Sequence, residues 1–222
     1  MFMPGESERS TRVRAGELRR GQTRARLISA SARVLASRGA ERATIDDFVR
    51  EANVSRGTFY NYFTTREELL EALWATYGHD PFHKIQQNCQ SIRGPAERLS
   101  AFTRHILHAA ERDSAMGWII MTMSSQRATL NDELATYPGP DLKAGRALGV
   151  FHFDDLTCAI DVVVGAVRSA LGAILEENRA ELYPQSVSKM ILLSLGMARS
   201  DAHRISHGPL TEAKSTREVS LL

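Results

Sequence analysis

Residues 54–69 read VSRGTFYNYFTTREEL, placing two tyrosines and two phenylalanines beside arginines and a glycine in a stretch that otherwise reads as helix. Ser55 is a natural N-cap for a helix opening at Arg56. Phe59 and Phe63 fall four residues apart, on one face, with Val54 at its head. Just upstream, TIDDFVREA (44–52) has Thr44 as N-cap and Asp47 at the third helical position of a capping box, with Ile45, Phe48, Val49 and Ala52 spaced as one apolar stripe. Asn53 can take the left-handed conformation that closes a helix. Only Asn53 and Val54 separate the two helices, so they meet steeply, the geometry of a helix-turn-helix.

A helix that reads a major groove needs N-terminal residues that reach base edges and flanking groups that hold phosphates. Arg56 can donate two hydrogen bonds to guanine, Thr58 offers a hydroxyl and a methyl group, and Asn61 can read a base or hold a phosphate. Gly57 costs roughly 1 kcal/mol against alanine in a helix, which is explained if the backbone approaches a partner closely. Tyr60 and Tyr62 bring phenol hydroxyls, and Arg66 adds charge at the start of the next helix. The competing account of any single one of these residues is a half-buried aromatic or a packing glycine.

Working toward the N-terminus, Leu27, Ile28, Ser31, Ala32, Val34 and Leu35 mark a helix from Thr23 that Gly39 ends. Residues 1–22 lack sustained apolar periodicity and are expected to form a basic flexible arm. Residues 1–66 hold 13 Arg against 7 Asp and Glu, a charge of +6 in a chain whose net charge is +2. Such asymmetry suits a polyanion-binding module joined to something else.

Toward the C-terminus, TREELLEALWATY (65–77) opens with a capping box from Thr65 to Glu68 and starts a fourth helix. HDP (79–81) and RGP (93–95) predict breaks around a helix of 82–92, followed by a helix over 96–111. MGWIIMTM (116–123) is apolar almost all round and is expected to be central. TYPGPDLKAG (136–145) predicts a loop. A helix over 155–177 carries a small-residue face with Gly165, Ala166, Ala170, Gly172 and Ala173, and one over 185–198 carries a wide apolar stripe. Residues 201–222 are expected to be a loosely held tail. No strand pattern is found, so the fold class is all-α.

At 43% hydrophobic and 24% charged residues the composition is that of a soluble globular protein, and without a signal-peptide pattern the expectation is cytoplasmic. The apolar run 159–175 contains Asp161 and Arg168, and reads as a buried soluble helix rather than a membrane span. Cys89 and Cys158 are expected to be core thiols, with no disulfide framework.

Residues 24–73 resemble the DNA-binding domain of the TetR/AcrR family of bacterial transcriptional repressors, in an alanine-rich first helix, RGAERATIDDFVREANVS, and GTFYNYFTTREEL in unbroken register. The family usually has glycine where this chain has Asn53. The resemblance implies that Thr44, Tyr62 and Arg66 contact phosphates and that Arg56, Gly57, Thr58, Tyr60 and Asn61, following the Ser55 cap, line the groove. It further implies an N-terminal helix-turn-helix domain over 23–66 and a helical effector-binding and dimerisation domain over 67–200. GVFHFD (149–154) before the penultimate helix is similar to the family as well. The last two long helices would form a four-helix interface in a homodimer that binds palindromic double-stranded operator DNA.

Family members hold a small-molecule effector between the later helices, and the candidates here are Trp74, Phe82, Phe102, His105, Trp118, Met121 and Met123, side chains that suit an irregular apolar cavity. Taken singly, ordinary core packing is the simpler account of each. His105, His108 and Glu111, and His79, Asp80 and His83, are the two clusters with metal-ligand residue types. Neither has a cysteine, and no metal, cofactor or membrane partner is expected. No nucleophile elbow, phosphate loop or paired-carboxylate motif is found, so no enzyme is expected. The function that follows is a ligand-responsive repressor; the alternative is a helical small-molecule-binding or catalytic protein whose N-terminal helices are only structural.

Overall fold

The computed structural model describes residues 5–39, 41–125, 137–177 and 179–210, and the side chains of all of these except 5–13, 15 and 123–125. Those residues are helices and their connections, with no strand among them. The chain divides into two compact units, Met1–Leu73 and Trp74–Leu222.

In the first unit, α1 (Gly5–Arg38) packs on α2 (Ile45–Glu51) and α4 (Arg66–Leu73), and α2 packs on α3 (Arg56–Tyr60). Leu27, Leu35, Phe48, Phe59, Phe63, Leu69, Leu70 and Leu73 are buried together at its centre. Each such side chain contributes about 1.5–3 kcal/mol by leaving water. Gly39 ends α1 in the left-handed region, at φ 74°. Asn53 does the same for α2 at φ 50°, where its N–H donates to the Arg50 carbonyl at 3.1 Å and that of Val54 to the Val49 carbonyl at 3.0 Å. These two bonds satisfy the last carbonyls of α2 and turn the chain sharply into α3.

Two expectations for this unit are corrected. Residues 5–22 are the first half of α1 rather than a flexible arm; residues 1–4 lie outside the described residues. From Arg14 to Gln22 the described side chains are exposed, so that stretch has no apolar stripe to reveal. The unit also extends past residue 66 to Leu73, because α4 buries Leu69, Leu70 and Leu73 in the same core as α1.

In the second unit a short π-helix (Trp74–Gly78) runs directly into α5 (His79–Gln90). Then come α6 (Pro95–Arg112), α7 (Ser114–Ser125), α8 (Gly139–Ala147), α9 (Leu156–Glu176), α10 (Tyr183–Ser194) and α11 (Arg199–His207). Helix α6 touches all the others, from α5 to α11, and is buried on nearly every side. Several of its polar side chains are paired: the Ser188 hydroxyl bonds that of Ser100 at 2.8 Å, Arg98 donates to Asp141 of α8 at 2.6 Å, and Arg104 donates through one terminal nitrogen to the Gly208 carbonyl at 2.9 Å while its Nε is buried without a partner. Gly117 lets α7 close on its neighbours, since a Cβ there would stand 2.8 Å from both Ala110 and Leu175.

The predicted breaks at HDP and TYPGPDLKAG are helix starts instead. Pro140 sits in the first turn of α8, where a backbone N–H has no partner to lose, and Pro81 is the third residue of α5, directly after the π-helix. Residue 136 lies outside the described residues. The helix expected over 185–198 ends at Ser194, and the expected tail begins instead with α11, whose Ala202 is fully buried; 211–222 lie outside the described residues. Helix α9 is long and apolar enough to cross a membrane by length and composition alone; here it packs on α6, α7, α8 and α10. Cys89 is buried as expected, whereas Cys158 is exposed, because it lies on the side of α9 away from the core.

Candidate nucleic-acid interface

Helix α3 is only five residues long and is held by its ends. The Ser55 hydroxyl accepts from the Thr58 N–H at 3.0 Å and shares a second hydrogen bond with the Thr58 hydroxyl at 2.8 Å. The Phe59 ring is fully buried, edge-on to Tyr60 at 5.3 Å and tilted against Phe63 at 5.8 Å. That anchor turns the other side of α3 outward: Arg56, Gly57, Tyr60 and Asn61 are exposed, Tyr60 by 48%. A Cβ at Gly57 would meet only the Ser55 hydroxyl, at 3.8 Å, so nothing within the chain requires glycine there.

The remaining predicted residues are more committed. Thr44 caps α2, accepting from the Asp47 N–H at 3.3 Å and donating to the Asp47 carboxylate at 2.7 Å. Thr58 is half-buried with its hydroxyl bound to Ser55. Tyr62 is half-buried, with the Arg20 guanidinium 5.9 Å from its ring centre. Arg66 is half-buried, and its Nε donates to the Ala43 carbonyl at 3.2 Å, stapling α4 to the segment before α2.

Thr44, Arg56 and Arg66 come together around an open concavity of about 460 Å³ that Glu41, Ala43, Ile45 and Asp46 complete. Asp46 is the residue the sequence reading missed. Its carboxylate accepts from Arg56 at 3.1 and 3.3 Å. The Tyr60 phenol and then Asp46 hold the Arg56 guanidinium above its already high range, so it is a permanent cation. Ten residues and a turn separate Asp46 from Arg56, a distance no local spacing rule spans.

In the second unit Trp74, Phe82, Phe102, His105 and Trp118 are buried and Met121 is half-buried; the side chain of Met123 lies outside the described residues. Of these, only Phe82 and Phe102 line the small apolar cavity of about 50 Å³, which Leu99, Thr103, Ile106, Ile120, Tyr137, Pro138, Val163, Val164, Val167, Arg168 and Leu171 complete. Trp74 is core packing, edge-on to Phe82 at 5.7 Å. Tyr137 stacks on Phe102 at 3.5 Å, and burial drives its phenol far above the ordinary range. Sequence reasoning passed over Tyr137 as loop and the α9 side chains as a dimer face. Among the described residues no group of His, Cys, Asp and Glu could hold a metal ion. His108 instead pairs with Glu111 at 2.7 Å, and His79 with Asp80 at 3.2 Å.

This geometry agrees with what the chain is similar to. The HTH-type transcriptional regulator YdgC of Bacillus subtilis (strain 168) is 22% identical over 152 residues, 66% of this chain and 77% of YdgC. The crystal structure of RolR in complex with resorcinol superposes with a TM-score of 0.69 at 29% identity, covering 89% of this chain and 99% of RolR. That of AibR with isovaleryl coenzyme A and operator DNA gives 0.56 at 19% identity over 78% of this chain and 97% of AibR, a likeness of fold alone. Residues 27–73 match the family model for bacterial regulatory proteins of the tetR family, and residues 94–208, over half the chain, match the tetracyclin repressor-like C-terminal domain. A capped helix-turn-helix followed by a ligand-binding-type helical domain, matched in that order, means that the chain belongs to the TetR family of bacterial DNA-binding transcription regulators.

Proposed function

We propose that this regulator is a ligand-responsive repressor that binds a palindromic operator as a homodimer in the bacterial cytoplasm and is released by a compact, largely apolar effector. The observation that carries the reading is the two-sidedness of α3: Phe59 is fully buried while Arg56, Tyr60 and Asn61 face outward. Those three side chains, with Gly57 for close approach, read base edges, and Thr44, Ser55, Thr58, Tyr62 and Arg66 hold the backbone register around them. Dimerisation uses the exposed side of α9, with Val162, Gly165 and Ser169, together with exposed Met190 of α10. Two-fold pairing then places the two reading helices on successive major-groove faces.

The cavity beneath α6 supplies the sensor. Its walls are almost wholly apolar, with Phe82, Phe102 and Tyr137 offering ring faces and edges, which suits a compact aromatic compound once the cavity, about 50 Å³ here, widens to admit a ring. RolR, similar over most of both chains, was solved with resorcinol. Such an effector acts by favouring one spacing of the two reading heads over another.

The test starts from full-length protein and a pool of random duplexes. Wild type enriches a palindrome, and Arg56→Ala with Tyr60→Ala lowers retention of it by roughly tenfold or more with unchanged folding. A double variant that retains the palindrome as wild type does would overturn the reading in favour of a small-molecule-binding protein with merely structural N-terminal helices. A thermal-shift series with small phenols and other compact apolar compounds identifies the effector class, since binding to the folded state raises the melting temperature.

A further inference from the structure

Among the described side chains of the first half of α1 none is buried, and Arg20 alone reaches a ring of its own unit, that of Tyr62. From Arg14 to Gln22 every described side chain is exposed, including Leu18 at 68%. Gly16 and Gly21 weaken the helix, and a Cβ built at either would meet nothing within 4 Å, so neither glycine serves packing inside the chain. A stretch whose described side chains are all exposed and which carries two glycines gains little from its own propensity or packing. Its composition shows what it suits: residues 5–20 hold five arginines against three glutamates, Glu6, Glu8 and Glu17, and from Arg9 onward the five arginines face Glu17 alone. Arg14, Arg19 and Arg20 are exposed, and among the described residues none of the three forms an ion pair.

The position of this segment relative to α3 gives it a direction. The Arg20 guanidinium lies 5.9 Å from the Tyr62 ring centre and that of Arg24 lies 5.3 Å from the Phe63 ring centre. Tyr62 and Phe63 directly follow Asn61, the C-cap of α3. Helix α1 therefore passes the C-terminal end of the reading helix and continues beyond it. At 1.5 Å per residue, Arg9 lies roughly 16 Å further along the axis than Arg20, about half of the ~34 Å turn of a duplex.

We propose that α1 from Arg9 to Arg20 is a second DNA-contacting surface, a basic helical extension that lies along the phosphate backbone outside the half-site read by α3. The inference rests on the reading of α3 as duplex-facing. Contacts of this kind neutralise phosphates and carry no base preference of their own. They lengthen the footprint and strengthen the salt dependence. The exposed glycines let the helix backbone approach the polyanion closely.

The test uses full-length protein, the selected palindrome as a bare site, and the same site with about ten extra base pairs at each end, one further helical turn. Wild type is expected to hold the flanked duplex more tightly than the bare one. In the variant carrying Arg14→Ala, Arg19→Ala and Arg20→Ala that difference disappears. Its slope of log affinity against log salt becomes shallower by about 0.9 for each phosphate that is no longer neutralised, with base preference unchanged. The matching Arg→Lys variant keeps the wild-type slope. Equal slopes and equal flank dependence in wild type and the alanine variant, with both folded, would overturn the proposal. So would a change confined to retention on anionic lipid vesicles. Failure of the α3 reading looks different: Arg56→Ala with Tyr60→Ala would leave base preference intact, whereas failure of the extension leaves preference intact only in the Arg14, Arg19 and Arg20 variant and moves no slope.

Discussion

Helices α3 and α6 are opposite solutions to the same problem. Helix α3 has five residues, one fully buried ring and a cap at each end, while α6 has eighteen residues and is buried from Pro95 to Ala110 along most of its length. A single turn cannot sustain itself, because nucleation costs more than one turn of hydrogen bonds returns. Its order comes from Ser55, from Phe59 and from the left-handed Asn53 before it, leaving the rest of its surface free to meet a partner. Helix α6 takes its order from burial, and its surface is spent on six neighbouring helices. The comparison teaches that a reading surface is built where the core demands least of the side chains.

The sharpest way to break this contrast is to exchange burial for exposure on α3 itself. Phe59→Ala removes its anchor and is expected to cost about 3–5 kcal/mol, read as a lower denaturation midpoint of the N-terminal unit. Tyr60→Ala, one residue on and half-exposed, is expected to stay within about 1 kcal/mol of wild type. Comparable losses for the two would refute the two-sided account of α3. Next in size is the cap: Ser55→Ala is expected to cost about 1 kcal/mol by freeing the Thr58 N–H, whereas Ser55→Asp retains most of the stability.

Acid sensitivity sharpens the comparison further. The Thr44 hydroxyl, then the Thr44 N–H, and then Arg38 and Arg50 hold the Asp47 carboxyl below its ordinary value of 3.8. A folded value below the unfolded one means that this stabilisation is present above about pH 4 and is lost as pH falls through the folded value. Denaturation series between pH 3 and pH 7 should therefore show a steeper acid limb in wild type than in Asp47→Asn, which is less stable at neutral pH. An identical pH profile for both would remove Asp47 from the account.

The smallest effect concerns the thiols of the second unit. Burial, with Asp141 adding to it, pushes the Cys89 thiol up to about 12, while Cys158 is exposed. The thiolate is the reactive form, so iodoacetamide at pH 8 is expected to leave Cys89 unmodified until denaturant is added, while any native-state adduct falls on Cys158. Mass spectrometry of the labelled peptides checks the order, and early labelling of Cys89 would contradict the packing around α5 and α6.

Much of this molecule can be read without coordinates where the determinants are local. Thr44 and Asp47, Asn53, and Ser55 with Thr58 act within four residues of one another, and each takes the conformation its side chain dictates. Apolar spacing likewise places Phe48, Phe59 and Phe63 in the core and leaves Arg56 and Tyr60 outside. Local rules misread Pro81 and Pro140, since proline both breaks a helix and opens one, and only the turn that precedes it decides which.

What tertiary structure alone decided are the encounters across sequence distance. Asp46 meets Arg56, Arg66 meets the Ala43 carbonyl, and Tyr137 stacks on Phe102, none at a spacing that a helix or turn repeats. The cavity is of the same kind: Phe82 and Phe102 line it while the equally buried Trp74, His105 and Trp118 do not. Hydrophobicity settles that a side chain leaves water, because the free energy depends on the area removed. Which buried side chains border a void depends on how helices distant in the chain fit against one another, and no local pattern carries that information.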